Sequence, residues 1–118
     1  MSRVLALVPD LLFGSKVQAM LAAAGHDVEM AQSETDVWDQ IAGTDVLVVD
    51  LTTDDVDPVG LLDTLRTGGE AHGLKALAFY SHVDVDTKRR ADEAGFDLVV
   101  PRSRMAREGA DLVARLSS

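Results

Sequence analysis

The sequence predicts a three-layer α/β sandwich, with a five-stranded parallel sheet between two layers of helices. Short apolar runs alternate five times with longer, helix-like patterns. Two of the runs, Val4 to Val8 and Val46 to Val49, are apolar without a break, as strands covered on both faces must be. The chain has 118 residues, which suits one core and a single domain over 1–118.

The first strand is Val4 to Val8. The opening "MSRVLALVPDLLFG" is broken by Pro9 and Asp10 and lacks a small-residue cleavage pattern, so it reads as a strand and not as a signal peptide. After "PDLLFGS", read as a loop, Val17, Met20, Leu21 and Ala24 share one helical face that stops at Gly25. "HDVEMA" alternates, with Val28 and Met30 inward. Ser33 can cap the second helix with Asp36 three residues on; Val37 and Ile41 face inward beside Trp38, and Gly43 ends it.

The third strand runs from Asp45 to Asp50. Asp57 caps a helix that starts on Pro58, presents Leu61, Leu62 and Leu65, and ends before Gly68 and Gly69. "LKALAFYS" is the fourth strand, "DVDTKRRADEAG" a charged helix closed by Gly95, and "FDLVV" the fifth strand. A last helix after Pro101 presents Met105, Leu112, Val113 and Leu116. Helices on both faces of so small a parallel sheet imply the flavodoxin-like strand order 2-1-3-4-5.

Composition removes several function classes. Apolar residues make up 47% of the chain, which excludes disorder. No apolar run approaches the roughly 18 residues of a membrane-spanning helix. Cysteine is absent, and with it disulfides, thiolate metal sites and thiol nucleophiles; a cytoplasmic location is expected. A net charge of −9 argues against general binding to nucleic acid or to anionic membranes. Acids crowd residues 27–57, whereas Lys88, Arg89, Arg90, Arg102, Arg104, Arg107 and Arg115 gather toward the C-terminus, as a solvated surface or a face for an acidic partner.

In an open parallel sheet, ligands bind beyond the carboxyl ends of the strands. That rule selects Pro9 and Asp10, Asp50 to Thr52, Tyr80 to His82, and Val100 to Arg102. Asp50 is expected to emerge where the sheet meets solvent, its charge unburied. Asp10 and Asp50 come from neighbouring strands, and such a pair repels unless a proton, hydrogen bonds or a cation intervene. Oxygen ligands suit Mg²⁺, which keeps several waters, so two carboxylates and one carbonyl would suffice. Alternatively each acid caps a turn or helix.

An acid after the first strand, "VLVVD" closing the third, Ser81 closing the fourth and "GFDLVVP" as the fifth together resemble the receiver domain of bacterial response regulators, the CheY-like fold. The resemblance covers essentially the whole chain. It implies that Asp50 is the phosphoacceptor for a histidine kinase's phosphohistidine, that Mg²⁺ is held by Asp10, Asp50 and the carbonyl of Thr52, and that the Ser81 hydroxyl reports on the phosphate. A carboxylate nucleophile and a charge-offsetting metal make that chemistry coherent.

This sequence departs from the pattern at three places. Pro9 stands where the first of two adjacent acids is usual, which implies weakened Mg²⁺ binding. Counting from Gly95 puts Arg102 at the family's lysine position, while anchoring on Pro101 puts Val100 there. The aromatic of the fifth strand is missing, with Leu98 and Val99 in that stretch.

The expectation is an atypical, non-enzymatic receiver, a pseudo-receiver, that works by protein contact. Its partner would be a histidine kinase or another protein, and helix four, strand five and helix five would form a surface for targets or a homodimer. One alternative is a conventional Mg²⁺-dependent phosphoaccepting receiver. Another is a flavodoxin-like binder of a small molecule or nucleotide, although "VPDLLFGS" lacks the glycine patterns that cradle phosphates. No nucleophile elbow, paired metal-binding histidines or triad spacing points to a hydrolase. His26, His72 and His82 are expected to be incidental, Asp54 and Asp55 loop solvation, and Asp57 a helix cap.

Overall fold

In the computed structural model, which describes residues 2–52, 57–68, 73–81 and 85–117, five strands alternate with five helices. The strands are β1 (Arg3–Leu7), β2 (Asp27–Ala31), β3 (Val46–Asp50), β4 (Lys75–Tyr80) and β5 (Leu98–Pro101). The helices are α1 (Leu11–Ala23), α2 (Glu34–Gln40), α3 (Pro58–Thr67), α4 (Val85–Ala94) and α5 (Arg102–Ser117). Every strand pair is parallel and the order is β2-β1-β3-β4-β5, the flavodoxin-like order expected. His72, His82, Asp54 and Asp55 lie outside the described residues.

Alternation along each strand divides the core into two halves. Val4, Ala6, Val46, Val48, Leu77, Phe79 and Val100 pack with Phe13, Val17 and Leu21 of α1 and Met105, Leu112 and Val113 of α5. Leu5, Leu7, Leu47 and Val49 pack on the other face with Val37, Leu61, Leu62, Leu65 and Ala91. β1, β3 and β4 are central, and their continuous apolar runs follow from burial on both sides.

The caps follow the sequence signals. The Ser33 hydroxyl accepts from the Asp36 N–H at 3.2 Å, and the Asp36 carboxylate accepts from the Gln32 N–H at 2.9 Å, one residue before the usual box partner. Asp57 accepts from the Gly60 N–H at 3.1 Å, with Pro58 at the start of α3. Gly25, Gly43 and Gly95 take positive φ after their helices.

The strands shift from the sequence reading by one or two residues, β5 running from Leu98 to Pro101, and the start of α1 differs more. α1 begins at Leu11, inside the "PDLLFGS" segment that reads as a loop. Asp10 caps it, and Gly14 is a buried helical residue whose Cβ would meet the Val8 carbonyl at 3.1 Å and the Met30 methyl at 3.3 Å. Gly14 is there to let the helix lie close to the sheet, not to make a turn. At the other end of this helix Ala24 is the exposed C-cap, not part of the buried face.

At the amino ends of the strands, Arg66 of α3 anchors the entry to β5. Its guanidinium donates to the Gly95 carbonyl and, at 3.4 Å, to the Leu74 carbonyl, and it pairs with Asp97 at 3.3 Å. Asp97 also accepts from the Ala76 N–H at 2.7 Å, joining that entry to β4.

Candidate functional site

The selected residues, apart from His82 outside the described residues, stand at the carboxyl ends of β1, β3, β4 and β5. Asp50 is the last residue of β3, opposite Phe79 of β4. It is 2% exposed, one of two buried polar or charged residues among those described. The expectation of an unburied acid is therefore corrected. Leu51 donates its N–H to the Phe79 carbonyl at 2.9 Å, and the turn through Thr52 folds back over the strand end. There the Thr52 N–H, at 2.8 Å, and the Thr52 hydroxyl both donate to Oδ1 of Asp50, in place of the water the acid was expected to meet.

The sequence reading gave Thr52 only a backbone carbonyl role and missed this side-chain contact. The signal for it was present: an acid followed two residues on by a hydroxyl at a strand end is the pattern of an Asx turn.

Asp10 does two things at once. Its Oδ1 accepts from the backbone N–H groups of Leu12 and Phe13 at 3.0 and 3.2 Å, capping α1. Its Oδ2 accepts from the Arg102 guanidinium at 2.8 Å, an ion pair across 92 positions of sequence. The hydrogen bond from Arg102, then that from the Phe13 N–H, holds the Asp10 carboxyl below the usual carboxylate range.

Of the two positions left open for the cation, the structure brings Arg102 to the acid. Val100 is 2% exposed and faces the core opposite Phe79. Arg102 opens α5 and lays its guanidinium 4.0 Å from the centre of the Phe13 ring. Phe13 packs on Phe79, with centroids 5.2 Å apart and planes tilted by 54°. Asp10, Arg102, Phe13 and Phe79 thus form a continuous stack that ends on the residue paired with Asp50. Ser81 follows β4 directly and is exposed, two residues past Asp50's neighbour Phe79.

The donor set does not fit Mg²⁺ as it stands. Pro9 offers no carboxylate, both oxygens of Asp10 are engaged, and Oδ1 of Asp50 already takes two hydrogen bonds. Among the described residues no cluster of three or more His, Asp or Glu could hold a metal ion.

Elsewhere, the C-terminal basic residues are partly neutralised within their own helices. Lys88 pairs with Asp92 at 2.9 Å, which raises the lysine's pKa, and Arg89 pairs with Asp86 at 3.5 Å. Arg104 and Arg107 both meet Glu108, at 3.5 and 3.7 Å. Two grooves of about 420 and 290 Å³ lie between α3 and α4 and between α2 and α3, meeting at Asp57 and Gly60. His26 lies at the opposite, amino end of the sheet, between α1 and β2. No described helix is long and apolar enough to cross a membrane.

Strand order, four parallel crossovers and an acid closing β3 define the receiver, or CheY-like, fold of two-component response regulators. No protein-family model matches the chain, and no curated protein matches its sequence. Solved structures do. A putative response regulator from Chloroflexus aurantiacus superposes with a TM-score of 0.88 at 21% identity, covering 98% of this chain and 97% of that one. A DNA-binding response regulator of the LuxR family from Staphylococcus aureus gives 0.86 at 11% identity, with 100% of both chains covered. The chemotaxis response regulator CheY4 of Vibrio cholerae gives 0.84 at 18%, with 98% of each covered. At these identities the likeness establishes the fold.

Proposed function

We propose that this chain is an atypical receiver-like signalling module of two-component type, working by contact with a protein partner, with Asp50 in the phosphoacceptor position. The observation that carries this reading is Asp50 itself, a buried carboxylate closing the central strand of a receiver fold and oriented by Thr52. In the phosphotransfer that the fold suggests, a carboxylate oxygen of Asp50 forms a bond to phosphorus as the phosphohistidine P–N bond breaks. The imidazole leaves and takes up a proton, so the acceptor needs no general base of its own.

Three features favour contact over that chemistry. Asp50 is covered, Asp10 is committed to Arg102, and β5 carries Leu98 and Val99 where a switching aromatic would be needed. The module turns over no substrate in this reading, and its partner meets the surface of α4, β5 and α5, which also suits a second copy.

Retention of Asp50, Thr52 and Ser81 at the strand ends supports the second reading, a conventional Mg²⁺-dependent phosphoaccepting receiver. Intact-mass measurement after acetyl phosphate and Mg²⁺ separates the two. Absence of a phosphoryl adduct on the wild-type chain is the expected result. A stable adduct lost in Asp50→Ala establishes the conventional reading instead.

A further inference from the structure

The carboxylates of Asp10 and Asp50 leave adjacent strands, with Leu7 opposite Val49 in the register. Their charges call for a cation, yet the described side chains do not assemble a divalent site. We infer that Arg102 takes the place of the metal ion, a built-in monovalent cation that makes the acid site preformed and indifferent to Mg²⁺. This rests on the reading of Asp50 as the acceptor-position acid, and it adds how the neighbouring charge is balanced.

The guanidinium is held from two sides. It meets Oδ2 of Asp10 at 2.8 Å and covers the Phe13 ring at 4.0 Å, a planar group matched to a carboxylate on one edge and to an aromatic face on the other. It also stands at the first position of α5, where the helix dipole disfavours a cation, and no acid of α5's first turn compensates it. Asp10 supplies that compensation from another element. An arginine placed against the dipole and closed onto the acid of a different strand is poorly explained as a surface residue and well explained as a counter-ion.

Mg²⁺ at the same place would need the Asp10 oxygen that Arg102 holds, in near-ideal octahedral geometry. The two cations therefore compete, and linkage requires that removing one strengthens the other. A unit charge about 5 Å from a divalent ion in a water-like dielectric is worth about tenfold in affinity.

The test is a titration with Mg²⁺ alone, followed by amide resonances of Leu12, Phe13, Leu51 and Thr52. The wild-type chain is expected to show no saturable shift up to about 10 mM Mg²⁺. Arg102→Ala should gain a saturable response at least about tenfold tighter, abolished again by adding Asp10→Asn. Arg102→Lys, which keeps the charge and guards against misfolding of the alanine variant, should bind Mg²⁺ more weakly than Arg102→Ala. Saturation of the wild type below about 10 mM, or an Arg102→Ala variant that binds no more tightly than wild type, overturns the inference. Labelling of Asp50 by acetyl phosphate, read by mass on the same samples, decides the functional reading separately.

Discussion

Replacing Phe13 by leucine tests whether the aromatic stack is a structural unit. Phe13 is 8% exposed, so leucine keeps most of the buried apolar volume and removes the two interactions that need a ring. The Phe13–Phe79 pair is worth about 1 kcal/mol beyond burial, and the partly exposed cation over the ring about 0.5–1 kcal/mol. Imperfect filling of the vacated space adds under about 1 kcal/mol, for a total near 2 kcal/mol. In a chain of this length that corresponds to a fall in Tm of about 8 °C.

Urea unfolding followed by circular dichroism and by Trp38, the one tryptophan of the chain, gives the free energy. Combining Phe13→Leu with Arg102→Ala in a double-mutant cycle isolates the pair, with an expected coupling of about 0.5–1 kcal/mol. A coupling within about 0.3 kcal/mol of zero would mean that Arg102 merely passes over the ring, and the account of the stack would fail.

Asp50→Asn keeps the acceptor for Thr52 and removes a buried charge that no described ion pair neutralises, so stability should hold or rise by about 1 kcal/mol; a loss larger than that in urea melts contradicts it. Because the Asp10 pKa is lowered in the folded chain, its contribution is full above its ordinary value of 3.8 and lost as pH falls through the folded value. Acid titrations of wild type and Asp10→Asn should therefore converge below that range and diverge above it. Val100→Lys buries an ammonium and should cost more than about 3 kcal/mol by thermal melting, whereas Arg102→Lys should cost under about 1 kcal/mol. Asp57→Ala, which uncaps α3, should cost about 1 kcal/mol.

The fold was legible because burial on both faces leaves a plain mark. Runs such as "VLVVD" and "LKALAFY" can only be central strands in so short a chain, and the class then fixes the order. The start of α1 was less legible. Leu11 and Leu12 are 72% and 88% exposed, and Gly14 is buried, the reverse of what an amphipathic pattern predicts.

At the site, sequence placed Asp10 and Asp50 at the strand ends but left open whether Asp10 caps or binds a cation. It does both, and the cation is a side chain. The reach of Arg102 across the sheet has no local signature, since it depends on where distant elements meet, whereas the Thr52 turn over Asp50 is written locally, in a hydroxyl two residues after the acid.

The anchor at the far end of the sheet has a bearing on all of this. Side chains alternate along a strand, so sliding β5 by one residue would turn Val100 out of the core and swing Arg102 off Asp10. Arg66 and Asp97 pin the strand where it enters, against β4 and the end of α3. They act as the zero mark of a ruler whose reading is taken at Arg102, so the cation's aim is calibrated at the opposite pole of the molecule.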